Sequence, residues 1–264
     1  MDIHPLTQVD YAIISAMPEE LAFFLEAFSS FPSKTMTIEA FEFKIVSYYD
    51  ARILIVHTGI GTAFAASVFT FLHCYFHPRY FLIAGTAGGI KQGLQLNDVV
   101  IVTEAFEAEI QHTLELAKET PFANCVFHPI KNQNFPIFYP ADAELLELSQ
   151  ELKIENITIH RGPLVSSNAF PAPLSLFAKI KPLNPYCIDM ETSAFYQTAW
   201  LVNARVLAVR GISNILNDDG TDDQLQTSDV KGSSLAAAQV LLAILTKSVA
   251  LDKNKEAKAQ RVNH

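Results

Sequence analysis

Residues 53 to 78 contain no Asp, Glu, Lys or Arg. An uncharged stretch of that length belongs either in a bilayer or inside a folded domain. Thr58-Gly59-Ile60-Gly61-Thr62 breaks the run near its start, and His57, His73 and His77 interrupt the rest, so a membrane span is the poorer reading. A buried strand, a glycine turn and a buried helix fit better. Ala51 to His57 is β-branched and of strand length, and Thr62 to Phe76 is apolar on nearly every face.

The same alternation continues along the chain. Tyr11 to Ser15 reads as a strand running into a helix start at Pro18-Glu19-Glu20, with Pro at the first helical position and acids in the first turn. Residues 35 to 49 read as one strand, turning at Tyr49-Asp50 into the next, and Tyr80 to Ala84 as another that ends in the glycine turn Gly85-Thr86-Ala87-Gly88-Gly89. Further strands are expected at 98–103, 157–165, 186–189 and 204–212, and helices at 141–152, 173–181, 191–203 and 229–249. Residues 106 to 140 carry Pro121, Pro129, Pro136 and Pro140 and read as a loop or lid. The pattern predicts an α/β fold with a mixed, largely parallel sheet and helices on both faces. It is read as a single domain over 1–250, followed by a charged tail, 251–264, that frays.

Charge and cysteine content narrow the function classes. The net charge is −9, and Lys and Arg do not cluster before the C-terminal tail, so the footprint of a nucleic-acid partner is missing. Cys74, Cys125 and Cys187 lie far apart and form no C-x-x-C pair, which fits a reducing cytoplasm better than a disulfide framework or zinc site. Met1 to Asp10 has no basic stretch followed by an apolar core, so no signal peptide is expected there, and no membrane partner. The His residues show no ligand spacing such as H-E-x-x-H, so neither a metal nor another cofactor is expected.

Candidate chemistry sits where strands end. Glu20, in Ala16-Met17-Pro18-Glu19-Glu20, is explained by the helix dipole and equally by a catalytic carboxylate. Gly59-Ile60-Gly61 and Gly85 to Gly89 allow close backbone approach to a ligand, but no Gly-Lys-Ser/Thr follows to make a phosphate-cradling loop. Phe170, in Ser166-Ser167-Asn168-Ala169-Phe170-Pro171, is either a loop anchor or a platform for a planar ligand. Asp189-Met190-Glu191 opens an apolar helix, where an acid caps the helix or needs a partner. Ser213-Asn214 ends a strand and reads as a turn or as a polar contact.

In this order and at these intervals, A-M-P-E-E, T-G-I-G, G-T-A-G-G, S-x-x-A-F and M-E-T-S-A resemble the nucleoside phosphorylase family. The branch they resemble most is that of the 5′-methylthioadenosine/S-adenosylhomocysteine nucleosidases, over Tyr11 to about Leu245. The resemblance implies a three-layer α/β/α sandwich that cleaves an N-glycosidic bond, in a homodimer or larger homo-oligomer. It also implies residue roles. Glu20 matches the acid that activates water, Glu191 the acid that bonds the ribose 2′-hydroxyl, Met190 the residue under the sugar and Phe170 the ring stacked on the base. Thr86, Gly61 and Ser213 fall in the same substrate-binding motifs.

The chain departs from those relatives in ways that matter for its reaction. The phosphorylases carry an Arg just before the G-[ST]-x-G turn, where this chain has Leu82, Ile83 and Ala84, so water is the expected nucleophile and no guanidinium is expected near an anion there. The nucleosidases carry an Asp that protonates purine N7, where this chain has Asn214, and the N–H that normally meets adenine N1 is lost at Pro171. Both changes weaken adenine recognition and predict a 6-oxopurine base. A nucleoside phosphorylase and a non-catalytic nucleoside-binding or storage protein are the alternatives.

Overall fold

The computed structural model describes residues 7–109, 138–217, 221 and 228–262. β1 (Tyr11–Ser15) is buried at every residue. It runs parallel to β4 (Ala51–His57) on one side and to β5 (Tyr80–Gly89) on the other, which is why its sequence is a continuous apolar run and not an alternation. Beyond β4 the sheet turns antiparallel through β3 (Phe41–Tyr48) and β2 (Ser33–Ile38). On its other edge β5 pairs parallel with β10 (Val206–Ile215) and, at Gly88 and Gly89, antiparallel with β9 (Cys187–Asp189). β10, β6 (Val99–Glu107), β8 (Ile159–Ser166) and β9 continue in that order back to β5, so this half of the ten-stranded sheet closes on itself. β7 (Tyr139–Pro140) pairs with β6.

Helices cover the sheet in two groups. α1 (Pro18–Ala27) and α3 (Ala143–Ser149) pack with α6 (Val230–Val262), which lies along β5 and β10. α2 (Thr62–Phe76) packs with α5 (Thr192–Val202), which also contacts β6, β7, β8 and β10. α4 (Leu174–Ile180) follows β8 and buries Leu176, Phe177 and Ile180 in a smaller apolar cluster with Phe106 and Val165. The result is the expected three-layer α/β fold with a mixed sheet. β1, β4, β5 and β10 are parallel and carry their C-terminal ends to one end of the sheet, while β6, β8 and β9 are parallel to one another and run the opposite way.

Several local expectations are corrected. The single strand expected over 35–49 is a hairpin, reversed at Glu39-Ala40 with Glu39 at φ 52°. Gly85 to Gly89 is no turn: β5 runs through it, in register with β10 and β9. Ser213-Asn214 likewise lies inside β10, next to a bulge between Ile212 and Asn214. β6 extends to Glu107, and of the loop or lid expected over 106–140, residues 110–137 lie outside the described residues. The tail from Asp252 onward does not fray but continues α6 to Val262. Its charges find partners on the domain: Tyr11 Oη donates to Asp252 at 3.0 Å, Arg79 meets Asp252 at 2.9 Å, Lys253 meets Asp50 at 2.7 Å and Lys255 meets Glu144 at 2.6 Å.

Within α6, Val230–Lys253 is long and apolar enough to cross a membrane by length and composition, with 56% of that window buried against the protein. Its buried side chains, among them Ala237, Val240, Leu241, Ile244 and Leu245, belong to the main core. The approach is tightest at Gly211 of β10, where a Cβ would lie 1.9 Å from the backbone oxygen of Ser233. Gly211→Ala must therefore push helix from sheet, and we expect a loss of about 3 kcal/mol or more, read from the midpoint of urea unfolding. A midpoint unchanged from the parent would show that α6 adjusts freely at this point.

Candidate active site

Glu20 is the third residue of α1, and its side chain folds back over the helix start. Oε2 accepts from the backbone N–H groups of Ala16 and Met17, each at 3.1 Å. Oε1 accepts from the Thr86 N–H at 2.9 Å and from the Thr86 hydroxyl at 3.3 Å. This places a buried carboxylate between the junction of β1 with α1 and the middle of β5.

Glu191 precedes α5, but its side chain does not cap that helix. Asp189 does, accepting from the Glu191 N–H at 3.3 Å and the Thr192 N–H at 3.2 Å. Glu191 reaches across to the start of α2, where Oε1 accepts from the Gly61 N–H at 2.9 Å. Gly61 has φ 107°, a conformation suited to glycine, which lets that N–H face the carboxylate. Burial first, and then the neighbouring Asp189 charge, push the Glu191 carboxyl up to about 7, against the pull of Arg210 and the Gly61 N–H.

Arg210 lies at the centre of the group and was not among the residues singled out from the sequence. Its side chain is 1% exposed inside β10. Nη2 meets Asp189 Oδ2 at 2.8 Å, Nε and Nη2 donate to Thr192 Oγ1 at 3.0 and 2.9 Å, and Glu191 Oε2 stands 3.9 Å away. Thr192 in turn donates its hydroxyl to Asp189, and Ser166 donates to the other Asp189 oxygen at 2.5 Å. Burial works against the guanidinium charge, but Asp189, Glu191 and Glu20 outweigh it. Nη1 has no hydrogen-bond partner among the described residues. A Cβ built on Gly85 would lie 2.0 Å from that Nη1 and 2.9 Å from Glu20 Oε1, so donor and acceptor converge over this glycine. A guanidinium that the sequence reading did not place beside β5 is brought there by Arg210 from the neighbouring strand, although it does not line the cavity described below. The signal was present: a lone Arg in the apolar strand Val-Leu-Ala-Val-Arg-Gly-Ile has to be paired.

Above this floor is a cavity of about 320 Å³, within the range of small-molecule sites. Glu20, Thr86, Phe170, Pro171, Met190, Glu191, Ser213 and Asn214 all line it, together with Ile60, Leu216, Ser228 and Val230. Gly61 does not line it and acts through its N–H to Glu191. Phe170 is 66% exposed at the rim. At the opposite end the Ser213 hydroxyl donates to Asn214 Oδ1 at 2.9 Å, and Asn214 Nδ2 packs over Gly88, 2.9 Å from where a Cβ would stand.

The sequence profile of the phosphorylase superfamily matches residues 10–250. The 5′-methylthioadenosine/S-adenosylhomocysteine nucleosidase of Bacillus pumilus is 25% identical over 236 residues, covering 87% of this chain and 97% of that one. Among solved structures, the Streptococcus pneumoniae nucleosidase with a transition-state inhibitor aligns at a TM-score of 0.75 and 23% identity, covering 89% of this chain and 98% of that one. Futalosine hydrolase of Helicobacter pylori aligns at 0.76 and 19% identity, covering 92% and 99%. These structures share the fold described above.

The raised Glu191 carboxyl has a consequence for stability. Between the ordinary value of 4.5 and about 7 the folded state keeps a proton that the unfolded chain has lost, so stability falls as pH rises through that window and levels off above it. Glu191→Gln keeps an acceptor for Gly61 and removes the titration. Its unfolding free energy relative to the parent should climb between pH 5 and pH 8, by an amount on the order of a few kcal/mol, with its Tm rising relative to the parent over the same range. A constant offset across that range would place the Glu191 carboxyl at an ordinary value.

Proposed function

The chain belongs to the phosphorylase superfamily, and from that premise we propose that it is a purine nucleosidase, cleaving the N-glycosidic bond of a purine nucleoside with water. The observation that carries this reading is the convergence of Glu20 Oε1 and Arg210 Nη1 over Gly85, under a cavity that also holds Glu191. A water in the cavity donates to Glu20, which lines it, while Arg210 stays buried behind the carboxylate. Phe170 stacks on the base, Met190 packs under the sugar, and Glu191 accepts from the ribose 2′-hydroxyl. As the bond to the base stretches, its electron pair leaves with the base, which takes its proton from solvent; positive charge builds on the sugar, and the carboxylates beneath it stabilise that charge while Glu20 takes the proton of the attacking water. The nucleosidase names of the curated relatives support the same reaction.

Water is favoured over phosphate by the local charge. One guanidinium faces Asp189, Glu191 and Glu20, so an entering phosphate meets an acidic floor in spite of Arg210. Leu82, Ile83 and Ala84 are buried in β5 and offer an anion nothing. We place the protein in a homodimer or larger homo-oligomer, supported by exposed Ile60, Phe64, Phe170 and Leu174. A cytoplasmic setting fits the free thiols of Cys74 and Cys187.

Glu20→Gln preserves shape and removes the base, so turnover should fall by about 10³-fold or more with nucleoside affinity nearly unchanged. Near-normal turnover would remove Glu20 from water activation. Free ribose should be released at the same rate with or without phosphate, and ribose 1-phosphate among the products would make the protein a phosphorylase.

The finer assignment is the base. With its Oδ1 engaged by Ser213, Asn214 offers an amide donor, which pairs with O6 of hypoxanthine or guanine and opposes the N6 amino group of adenine. Pro171 has no N–H for adenine N1, but its carbonyl accepts from N1–H of a 6-oxopurine. A mismatched edge of this kind is rejected by about 10⁴-fold where the polar groups are buried. We expect kcat/KM to be higher for inosine-type nucleosides than for 5′-methylthioadenosine, and Asn214→Asp to shift it toward adenine. A parent that prefers adenine, with no gain in the Asp variant, would overturn the base assignment alone. A parent that binds nucleosides and cleaves none would be a binding protein.

A further inference from the structure

The loop that carries Phe170 is tied to the turn that orients Glu191 by one side chain. Asn168 Oδ1 accepts from the Thr62 backbone N–H at 3.0 Å, and its Nδ2 donates to Thr62 Oγ1 at 2.7 Å. One residue earlier in the turn, the Gly61 N–H donates to Glu191. Gly61 also makes room for the contact, since a Cβ there would lie 3.2 Å from Asn168 Oδ1. The loop is anchored before Asn168, where the Ser167 N–H donates to the Asp189 carbonyl at 2.9 Å and its hydroxyl to Glu109 at 2.7 Å. After Asn168 the chain runs out into solvent: Phe170 and Leu174 are exposed, and the next buried side chains are Leu176 and Phe177.

We propose that Asn168 is a positioning residue, a two-point clasp that holds the Phe170 loop against the Gly61-Thr62 turn and so places the stacking ring over the cavity. Its kinetic consequence rests on the nucleosidase reading. A stacked ring touches the base alike before and during bond cleavage, so the clasp supports binding of the nucleoside and contributes little to the chemical step. Loss of a hydrogen-bonded pair at this site corresponds to about a tenfold change in affinity. An Asp in its place still accepts from the Thr62 N–H, in a position favoured by the start of α2, and the Thr62 hydroxyl can turn to donate to it.

The test compares the parent with Asn168→Ala and Asn168→Asp, using inosine and 5′-methylthioadenosine as substrates and hydrogen exchange on the ligand-free proteins. Asn168→Ala should raise KM about tenfold with kcat within about twofold of the parent, and should speed exchange at residues 60–62 and 169–172. Asn168→Asp should match the parent in both. A parental KM in the Ala variant, a loss confined to kcat, or an Asp variant that behaves like Ala would overturn the proposal. If the parent turns over neither nucleoside, the nucleosidase reading fails separately, and the exchange at 60–62 and 169–172 decides the clasp: unchanged exchange in the Ala variant rejects it.

Discussion

The buried pair between Arg210 and Asp189 is the interaction on which the rest of the site depends. A guanidinium at 1% exposure inside a strand is tolerated only with its charge met and its donors used, and removing one half of such a pair typically costs about 3–5 kcal/mol. Meeting that demand organises the surroundings. Asp189 ends β9, accepts from Ser166 at the end of β8 and from the first N–H groups of α5, and faces Arg210 on β10. The ends of two strands, the middle of a third and the start of one helix are thereby fixed to the same two side chains.

That arrangement also sets the chemistry. The pair uses Nη2 and Nε and leaves Nη1 directed at Gly85, where Glu20 arrives from α1. With Asp189 facing the arginine, Glu191 gains little from it at 3.9 Å and remains dominated by burial, hence its raised carboxyl. A site with more carboxylates than cations suits a reaction that generates positive charge on a sugar and disfavours an incoming anion. The same backbone family can therefore carry either nucleophile according to which cations reach the floor and how many acids they already serve.

Much of this was legible in the sequence because it depends on local rules. Pro18-Glu19-Glu20 marks a helix start, the apolar runs mark buried strands, and the motif order points to Glu20, Glu191, Met190 and Phe170, which the fold brings into one cavity. What was missed depends on pairing between distant segments. Arg210 was passed over because its partner lies 21 residues back on another strand. Gly85 to Gly89 looked like a turn because glycine breaks isolated strands, yet here the missing side chains are what the neighbouring strands require. The charged end of α6 looked frayed because its partners, Tyr11, Arg79, Asp50 and Glu144, come from four other parts of the chain.

The glycines of β5 explain how one ladder makes both ends of the site. In the pairing of β10 with β5, Arg210 stands opposite Gly85 and Asn214 opposite Gly88. Each polar side chain leans into the space its partner glycine leaves, 2.0 Å and 2.9 Å from where a Cβ would be. The five residues Arg210 to Asn214 of β10 thus span the four residues Gly85 to Gly88 of β5, and the bulge between Ile212 and Asn214 absorbs the difference. Without that extra residue, the strand pairing would bring Ser213 opposite Gly88, and the Asn214 amide would move off the glycine that admits it. Spacing between Arg210 and Asn214 along the site is therefore a property of strand register, set by backbone geometry alone.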